Sequence, residues 1–198
     1  MAEQFVDDPL YEFILPDVSS RRQALIHFFQ SYLTLLYPYS DVFASSERME
    51  AVALVFYSDR FKDMLSSRLL YQWRVAKAIG RGLPICRLIG LQGYWRGLRI
   101  LNQASSAWLE MLGERSYMHL DMLVIQKPYR GQGLMTALMS PLVDQCRGMN
   151  SVMTLETQNK ANLPKYERYG FQVIHQHPIP NSSLIQYGMC LDPEVLGE

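Results

Sequence analysis

The chain has 198 residues, enough for one domain with a substantial core, and its 48% apolar and 12% aromatic content describes a globular rather than a disordered protein. Nineteen basic residues balance nineteen acidic ones, so no basic excess marks an extended nucleic-acid surface. Cys86, Cys146 and Cys190 are widely spaced and form no C-x-x-C, which argues against a zinc cluster or a disulfide framework and for a reducing, cytoplasmic compartment.

In chain order, the N-terminus from Met1 to Asp8 has neither the basic start nor the apolar core of a signal peptide, and no apolar run reaches membrane-spanning length. Neither nucleic acid nor membrane is expected as a partner. Ser20-Arg21-Arg22-Gln23 fits a capping box, and Leu25, Phe28, Phe29, Tyr32, Leu33 and Leu36 recur at helical spacing before Pro38. Val42 to Ala44 and Glu50 to Tyr57 read as two strands around a polar turn. A helical tract is predicted from about Asp59 to Ile79 and from Pro84 towards Leu112, broken at Gly80 and Gly82. Leu120 to Ile125 is an apolar strand, and Leu134, Ala137, Leu138 and Leu142 mark a helix in which Pro141 predicts a kink or early thinning. A strand (Ser151 to Thr157), a short helix ending near Tyr169 and two strands (Phe171 to His177, Ser183 to Cys190) complete an α/β order with a mixed sheet, read as a single domain over residues 1–198.

The chemistry concentrates where the apolar strand turns through Arg130-Gly131-Gln132-Gly133 into a helix. Such a junction aims several backbone N–H groups, and the positive end of a helix dipole, at one point suited to phosphate. Gly131 and Gly133 keep Cβ atoms out of the approach, and Arg130 adds charge at the mouth. Taken alone, the loop is also an ordinary strand–turn–helix junction. It equally suits a dinucleotide-binding turn, with Glu156 about where a ribose-binding acid should sit. Against the latter, Thr136 occupies the third glycine position and the loop lies in the last third of the chain. No Gly-Lys-Ser/Thr ends it, so it is not a Walker loop.

A second segment, Leu155 to Phe171, contains Asn159, Asn162, Tyr166, Tyr169 and the pair Gly170-Phe171. Together the two segments resemble the signature of the GNAT superfamily of acetyl-CoA-dependent N-acetyltransferases: Arg/Gln-x-x-Gly-x-Gly/Ala after a strand, then Asn, a helix bearing Tyr, and a Gly-Phe turn. Arg130, Gly133, Asn159, Tyr166, Gly170 and Phe171 fill those positions, whereas Met135 is large where the family has a small residue. The specific likeness spans roughly Tyr117 to Cys190. Phe5 to Asp17 looks like the first helix and loop of a GNAT subgroup, without room for the strand that precedes it there, so the sheet is expected to begin one strand short.

The resemblance implies a GNAT-like acyl-CoA N-acyltransferase fold, its mixed central sheet splayed between two parallel strands with helices on both faces. It implies acetyl-CoA as cosubstrate and a small-molecule or peptide amine as acceptor. The backbone of Leu123, Val124 and Ile125 would pair with the pantetheine arm, one N–H polarising the acetyl carbonyl. Arg130, Gly131, Gln132, Gly133, Leu134, Met135 and Thr136 would cradle the diphosphate. Asn159 and Asn162 would bond the cofactor or cap the short helix. Tyr166 would protonate the departing thiolate, or simply pack, as Tyr169 does. Glu156 is the first choice of base and Asp121 the second, with water as a relay and a plain strand-end charge as the alternative for each. His175-x-His177 lacks a third ligand, so no metal is expected. Tyr11, Phe13, Tyr37 and Tyr39 lie near the acceptor wall of the family, with core packing as their default. No Cys or Ser in the motif region has a paired base, which favours direct transfer over an acyl-enzyme. The non-enzymatic alternative is a degenerate CoA-binding sensor. Nothing in the sequence opposes a homodimer.

Overall fold

Two aspartates start the N-terminal helices. Asp8 accepts from the Leu10 N–H and Asp17 from the Ser19 N–H, capping α1 (Pro9–Ile14, with proline in its first turn) and α2 (Val18–Leu36). The capping box expected at Ser20 is therefore not the helix start. Asp17 gathers the Ser19 and Ser20 hydroxyls as well, so Ser20 lies inside the first turn. In this computed structural model, residues 1–61, 65–104, 106–149 and 151–192 are described. They divide into two compact units: one of Met1–Tyr39, Arg60–Ser105 and Ile179–Leu184, the other of Ser40–Asp59, Ser106–Pro178 and Ile185–Glu198.

The first unit is helical, adding α3 (Leu65–Gly82) and α4 (Cys86–Gln103). The tract runs through Gly80 but α3 ends at Gly82, as expected, before the Leu83–Ile85 turn. At Gly82 an added Cβ would meet the Tyr94 hydroxyl at 2.5 Å, and that hydroxyl donates to the Ile79 carbonyl at 2.6 Å. A further break, not expected from the sequence, falls at Gly90, whose φ of 73° and ψ of 162° are non-helical. The part of the predicted tract at residues 62–64 lies outside the described residues. Arg21, buried, holds the N-terminal turn together by donating to the carbonyls of Leu15, Val6 and Pro16 at 2.7, 2.9 and 3.1 Å.

The second unit holds a six-stranded sheet of order β1-β2-β3-β4-β6-β5. Its strands are β1 (Ser40–Ala44), β2 (Ala51–Tyr57), β3 (Tyr117–Ile125), β4 (Val152–Thr157), β5 (Gln172–Pro178) and β6 (Ile185–Leu191). Among the described residues no strand precedes β1. Alternation along β3, β4 and β6 sends Met118, Leu120, Met153, Leu155, Tyr187, Met189 and Leu191 to one face. There they meet Leu138, Met139, Leu142, Val143 and Cys146 of α5 (Leu134–Gly148). Pro141 lies within α5 on its exposed side, and the helix continues past it to Gly148. A short helix, α6 (Leu163–Glu167), adds Leu163 and the partly buried Tyr166 to the same core.

Candidate functional site

β3 and β4, the one parallel pair among the described residues, match over only four positions, from Tyr117↔Val152 to Leu120↔Leu155. Both strands run on, β3 to Ile125 and β4 to Thr157. The divergence coincides with a bulge against β2. There Leu54 pairs with Met122 and Val55 with Leu120, so Asp121 is the extra residue, and bulges increase local twist. Beyond Leu120, β3 keeps β2 as its only strand neighbour. The main chain of Leu123, Val124 and Ile125 thus borders the splay on its β4 side. Because every other strand pair is antiparallel, a dinucleotide-binding sheet is ruled out as the setting of the glycine loop.

Gly131 and Gly133 both take left-handed backbone, φ 77° and 78°, and an added Cβ would meet nothing within 4 Å at either. Gly133 is the N-cap of α5 and carries no side-chain cap. The first intrahelical bond runs from the Ala137 N–H to the Gly133 carbonyl at 3.0 Å. The N–H groups of Leu134, Met135 and Thr136 therefore precede the ladder without an intrahelical acceptor. Arg130 and Gln132 are exposed beside them, bonded back to the carbonyls of Ile125 and Pro128 at 3.4 and 3.1 Å. The large side chain of Met135 packs against the core cluster, as Leu134 does, instead of filling the loop. The departure from the family pattern at this position leaves the backbone donors in place.

The two tyrosines of the short helix differ. Tyr169 pairs its hydroxyl with Thr136 Oγ1 at 3.0 Å. Tyr166 packs edge-on to Phe171, ring centroids 6.1 Å apart, and its hydroxyl has no hydrogen-bond partner among the described residues. Burial pushes the Tyr166 phenol up to about 12. Asn159 caps the preceding turn by accepting from the Ala161 N–H at 3.1 Å. Asn162 donates to Thr157 Oγ1 at 3.3 Å and accepts from Lys165 Nζ at 2.9 Å. Both asparagines thus hold the β4–α6 connection through local bonds.

Glu156 stands on β4 just past the last parallel pair and is assembled with residues that the sequence reading did not single out. It faces Gly188 on β6, which in turn faces His175 on β5. With no side chain at Gly188, the buried Trp108 ring lies over that position; a Cβ there would meet Trp108 Cε2 at 2.8 Å. The ring stacks on His175 with centroids 6.1 Å apart, and its indole N–H donates to Glu156 Oε1. The other carboxylate oxygen lies 4.0 Å from His119 Nε2, while His119 Nδ1 and Thr154 Oγ1 are 2.9 Å apart across the β3–β4 pair. A carboxylate, an imidazole and an indole N–H are thereby fixed on the sheet face opposite the α5 core. Two oxygen- or nitrogen-bound positions 4.0 Å apart can each reach one intervening atom at about 2.8 Å, so the Glu156–His119 gap suits a single shared amine or water. In the sequence, the only signal was a polar residue at the normally apolar position between Met118 and Leu120.

Elsewhere, His175 and His177 share a strand face, their rings stacked with centroids 6.3 Å apart. In the first unit, Tyr11 packs among Phe5, Phe28 and Phe29 and lines a small apolar cavity of about 40 Å³. Tyr39 is buried against Phe61 and Tyr71, whereas Tyr37 is exposed.

Residues 104–185 match the sequence profile of the family described as the acetyltransferase (GNAT) domain. No protein of curated function matches the sequence significantly. Among solved structures, a Corynebacterium glutamicum protein titled histone acetyltransferase HPA2 and related acetyltransferase is 16% identical, with a TM-score of 0.61 over 97% of this chain and 86% of that one. The ribosomal-protein-S18-alanine N-acetyltransferase of Escherichia coli is 15% identical, with a TM-score of 0.45 over 82% and 74% of the two chains. A NatC complex chain, from a structure with Gag peptide and CoA, is 24% identical over 40% of this chain, with a TM-score of 0.37, and the match spans only 53% of that chain. The C. glutamicum likeness extends the fold over nearly the whole chain, and the profile covers the splay, the glycine loop and the tyrosine helix. Residues 104–185 thus match the acetyltransferase (GNAT) domain profile, and the likeness to the C. glutamicum structure is one of fold.

Proposed function

We propose that this protein transfers the acetyl group of acetyl-CoA directly to an amine, with Tyr166 as general acid and Glu156 as general base, and with residues 1–198 acting as one domain. The diphosphate sits on the N–H groups that open α5, between Arg130 and Thr136, and the pantetheine arm runs along the main chain of Leu123 to Ile125. Asn159 and Asn162 keep the turn beside it in shape.

The observation that carries this reading is the Tyr166 hydroxyl: its ring is partly buried against the core, burial pushes it up to about 12, and among the described residues it has no hydrogen-bond partner. It is therefore protonated at neutral pH and free to donate to a bound ligand. Donation to a thiolate near pKa 8.5 is uphill by about 5 kcal/mol if the thiol titrates as it does in water. The same apolar surroundings penalise the thiolate and narrow that gap. At the other end, freeing an amine of pKa near 10 costs about 4 kcal/mol at pH 7 unless a base takes the proton. Glu156 takes it, with the Trp108 N–H aiming the carboxylate and His119 facing its second oxygen. An acyl-enzyme has little support. Burial holds the Cys146 and Cys190 thiols up at about 11, so both are protonated at neutral pH.

The test is Tyr166→Phe, assayed with an acceptor found by screening amines, including polyamines, amino acids and a peptide N-terminus. Acetyl-CoA binding should stay nearly constant while turnover falls roughly a hundredfold. Tyr169→Phe should cost little. Equal turnover by both variants would show that solvent supplies the proton. A wild-type protein that binds acetyl-CoA but acetylates nothing in the panel would make this chain a CoA sensor instead.

A further inference from the structure

The acidic residues leave one long stretch of the chain empty: none occurs between Asp63 and Glu110. Within it α3 and α4 carry seven cations, from Arg68 to Arg99, so the remainder of a chain with no net charge has twelve cations against all nineteen acids. Each of these helices also exposes the same kind of stripe. Leu69, Trp73 and Lys77 on α3, and Leu91, Trp95 and Arg99 on α4, recur at i, i+4 and i+8 and so share a face. Their apolar members are 62%, 58%, 59% and 55% exposed. Lys77 Nζ lies 4.7 Å over the Trp73 ring. Exposed tryptophans at helical spacing are uncommon on a monomer surface and mark contact sites.

We propose that α3 and α4 bind the surface of an anionic lipid bilayer, their Leu–Trp pairs entering the boundary between headgroups and acyl chains and their cations meeting lipid phosphates and carboxylates. Three observations select this occupant. A stretch of seven cations and no acid calls for an anionic partner, and Lys77 and Arg99 on the exposed stripes repel a second copy presenting the same stripes. Exposed leucines gain nothing from a nucleic-acid backbone, which is met by charge and hydrogen bonds, but they gain from hydrocarbon. Trp followed one turn later by Lys or Arg places the ring at headgroup depth while the cation reaches outward. Among the described residues no helix is long and apolar enough to cross a membrane, so the contact is peripheral. This revises the sequence-based expectation of no membrane partner.

The experiment sediments the whole protein with vesicles of phosphatidylcholine, alone or with phosphatidylserine added, at low and high salt. Binding should be at least tenfold tighter to the serine-containing vesicles and should fall steeply towards about 0.5 M salt, where charges more than a few ångströms apart are screened. Lipids brominated on their acyl chains should quench Trp73 and Trp95 but not Trp108, which is 5% exposed. Trp73→Glu with Trp95→Glu, and separately Lys77→Gln with Arg81→Gln, should each weaken binding at least tenfold with circular dichroism unchanged. The quenching measured on the unmodified protein keeps the test decisive if a variant misfolds. Equal binding to both vesicles, bound protein with unquenched tryptophans, or heparin binding that matches the vesicles and ignores the tryptophan variant would each overturn the proposal. So would a dimer in sedimentation equilibrium that Trp73→Glu dissociates, which would make the occupant a second copy.

Discussion

The loop from Arg130 to Thr136 and the cluster around Glu156 belong to the same unit but are built from opposite materials. The loop offers main-chain N–H groups held by two left-handed glycines, with exposed side chains around them. The cluster offers side chains, buried or partly buried, that bond across β3 and β4 and stack on β5 over Gly188 of β6. The first can be written in seven consecutive residues because strand, turn and helix follow one another along the chain. The second is spelled by register: Trp108 and Glu156 are 48 residues apart, His119 and Thr154 are 35 apart, and only strand pairing joins them. On the proposed function, local chemistry makes the cradle for the cofactor, while long-range pairing sets the site that meets the acceptor.

The strongest way to break this contrast is Glu156→Gln, which keeps an oxygen to accept the Trp108 N–H but cannot take a proton. Turnover at pH 7 should fall by about a hundredfold or more, with acetyl-CoA binding unchanged. The loss should shrink as pH rises towards the pKa of the acceptor amine, because solvent then removes the proton. Trp108→Phe keeps most of the ring and removes the aiming N–H, so it should cost about tenfold and show the same relief at high pH. A loss independent of pH would make Glu156 a structural charge and pass the role of base to Asp121 or water.

How much of this was legible follows the same division. The strand–loop–helix order, the six strands from Ser40 onward and the left-handed turn at Gly131 and Gly133 could be read because apolar period and glycine position act over a few residues. The helix break at Gly82 is legible in the same way. Two errors share one cause. The cap expected at Ser20 is at Asp17, whose carboxylate competes for the same hydroxyls. The partners of Glu156 went unnamed because a histidine between two apolar strand residues reveals its neighbour only when the parallel strand is aligned beside it. The membrane stripe is a related case: the charge gap is visible in the sequence, but the exposure of Trp73 and Trp95 is not.

A smaller effect sharpens the assignment of Tyr166. Its folded pKa, about 12, lies above the unfolded value near 10. The unfolded chain therefore releases this proton first as pH rises, and stability must fall with pH in that window. The contribution is complete below pH 10 and is lost as pH approaches 12, amounting to about 3 kcal/mol for two pKa units. Cys146 and Cys190, held up at about 11, lose stability in an overlapping range, so the informative quantity is the difference between wild type and Tyr166→Phe. Denaturant melts from pH 9 to 12 should show the wild type losing about 3 kcal/mol more than the variant. Parallel curves would mean that the ring is solvated, and the case for a reserved donor would go with its burial.

The smallest expected effect isolates the loop, and it depends on choosing the right residue at Gly133. Valine there would confuse two causes, since φ of 78° strains any β-branched side chain whether or not a cofactor binds. Asparagine tolerates left-handed backbone better than other L residues, and its Cβ would enter open space with no protein atom within 4 Å. Gly133→Asn should therefore fold with a cost of no more than about 1 kcal/mol. Its side chain nonetheless projects from the N-cap of α5, where the diphosphate would approach the N–H groups of Leu134, Met135 and Thr136. Acetyl-CoA affinity should fall about tenfold, or roughly 1.4 kcal/mol, while Gly133→Val should lose both affinity and stability. Calorimetric titration separates the two quantities, and NAD, for which this antiparallel-rich sheet has no site, serves as the control that should not bind either protein. If Gly133→Asn binds acetyl-CoA as tightly as wild type, the phosphates do not sit on this turn, and the splay between β3 and β4 would have to hold the cofactor without it.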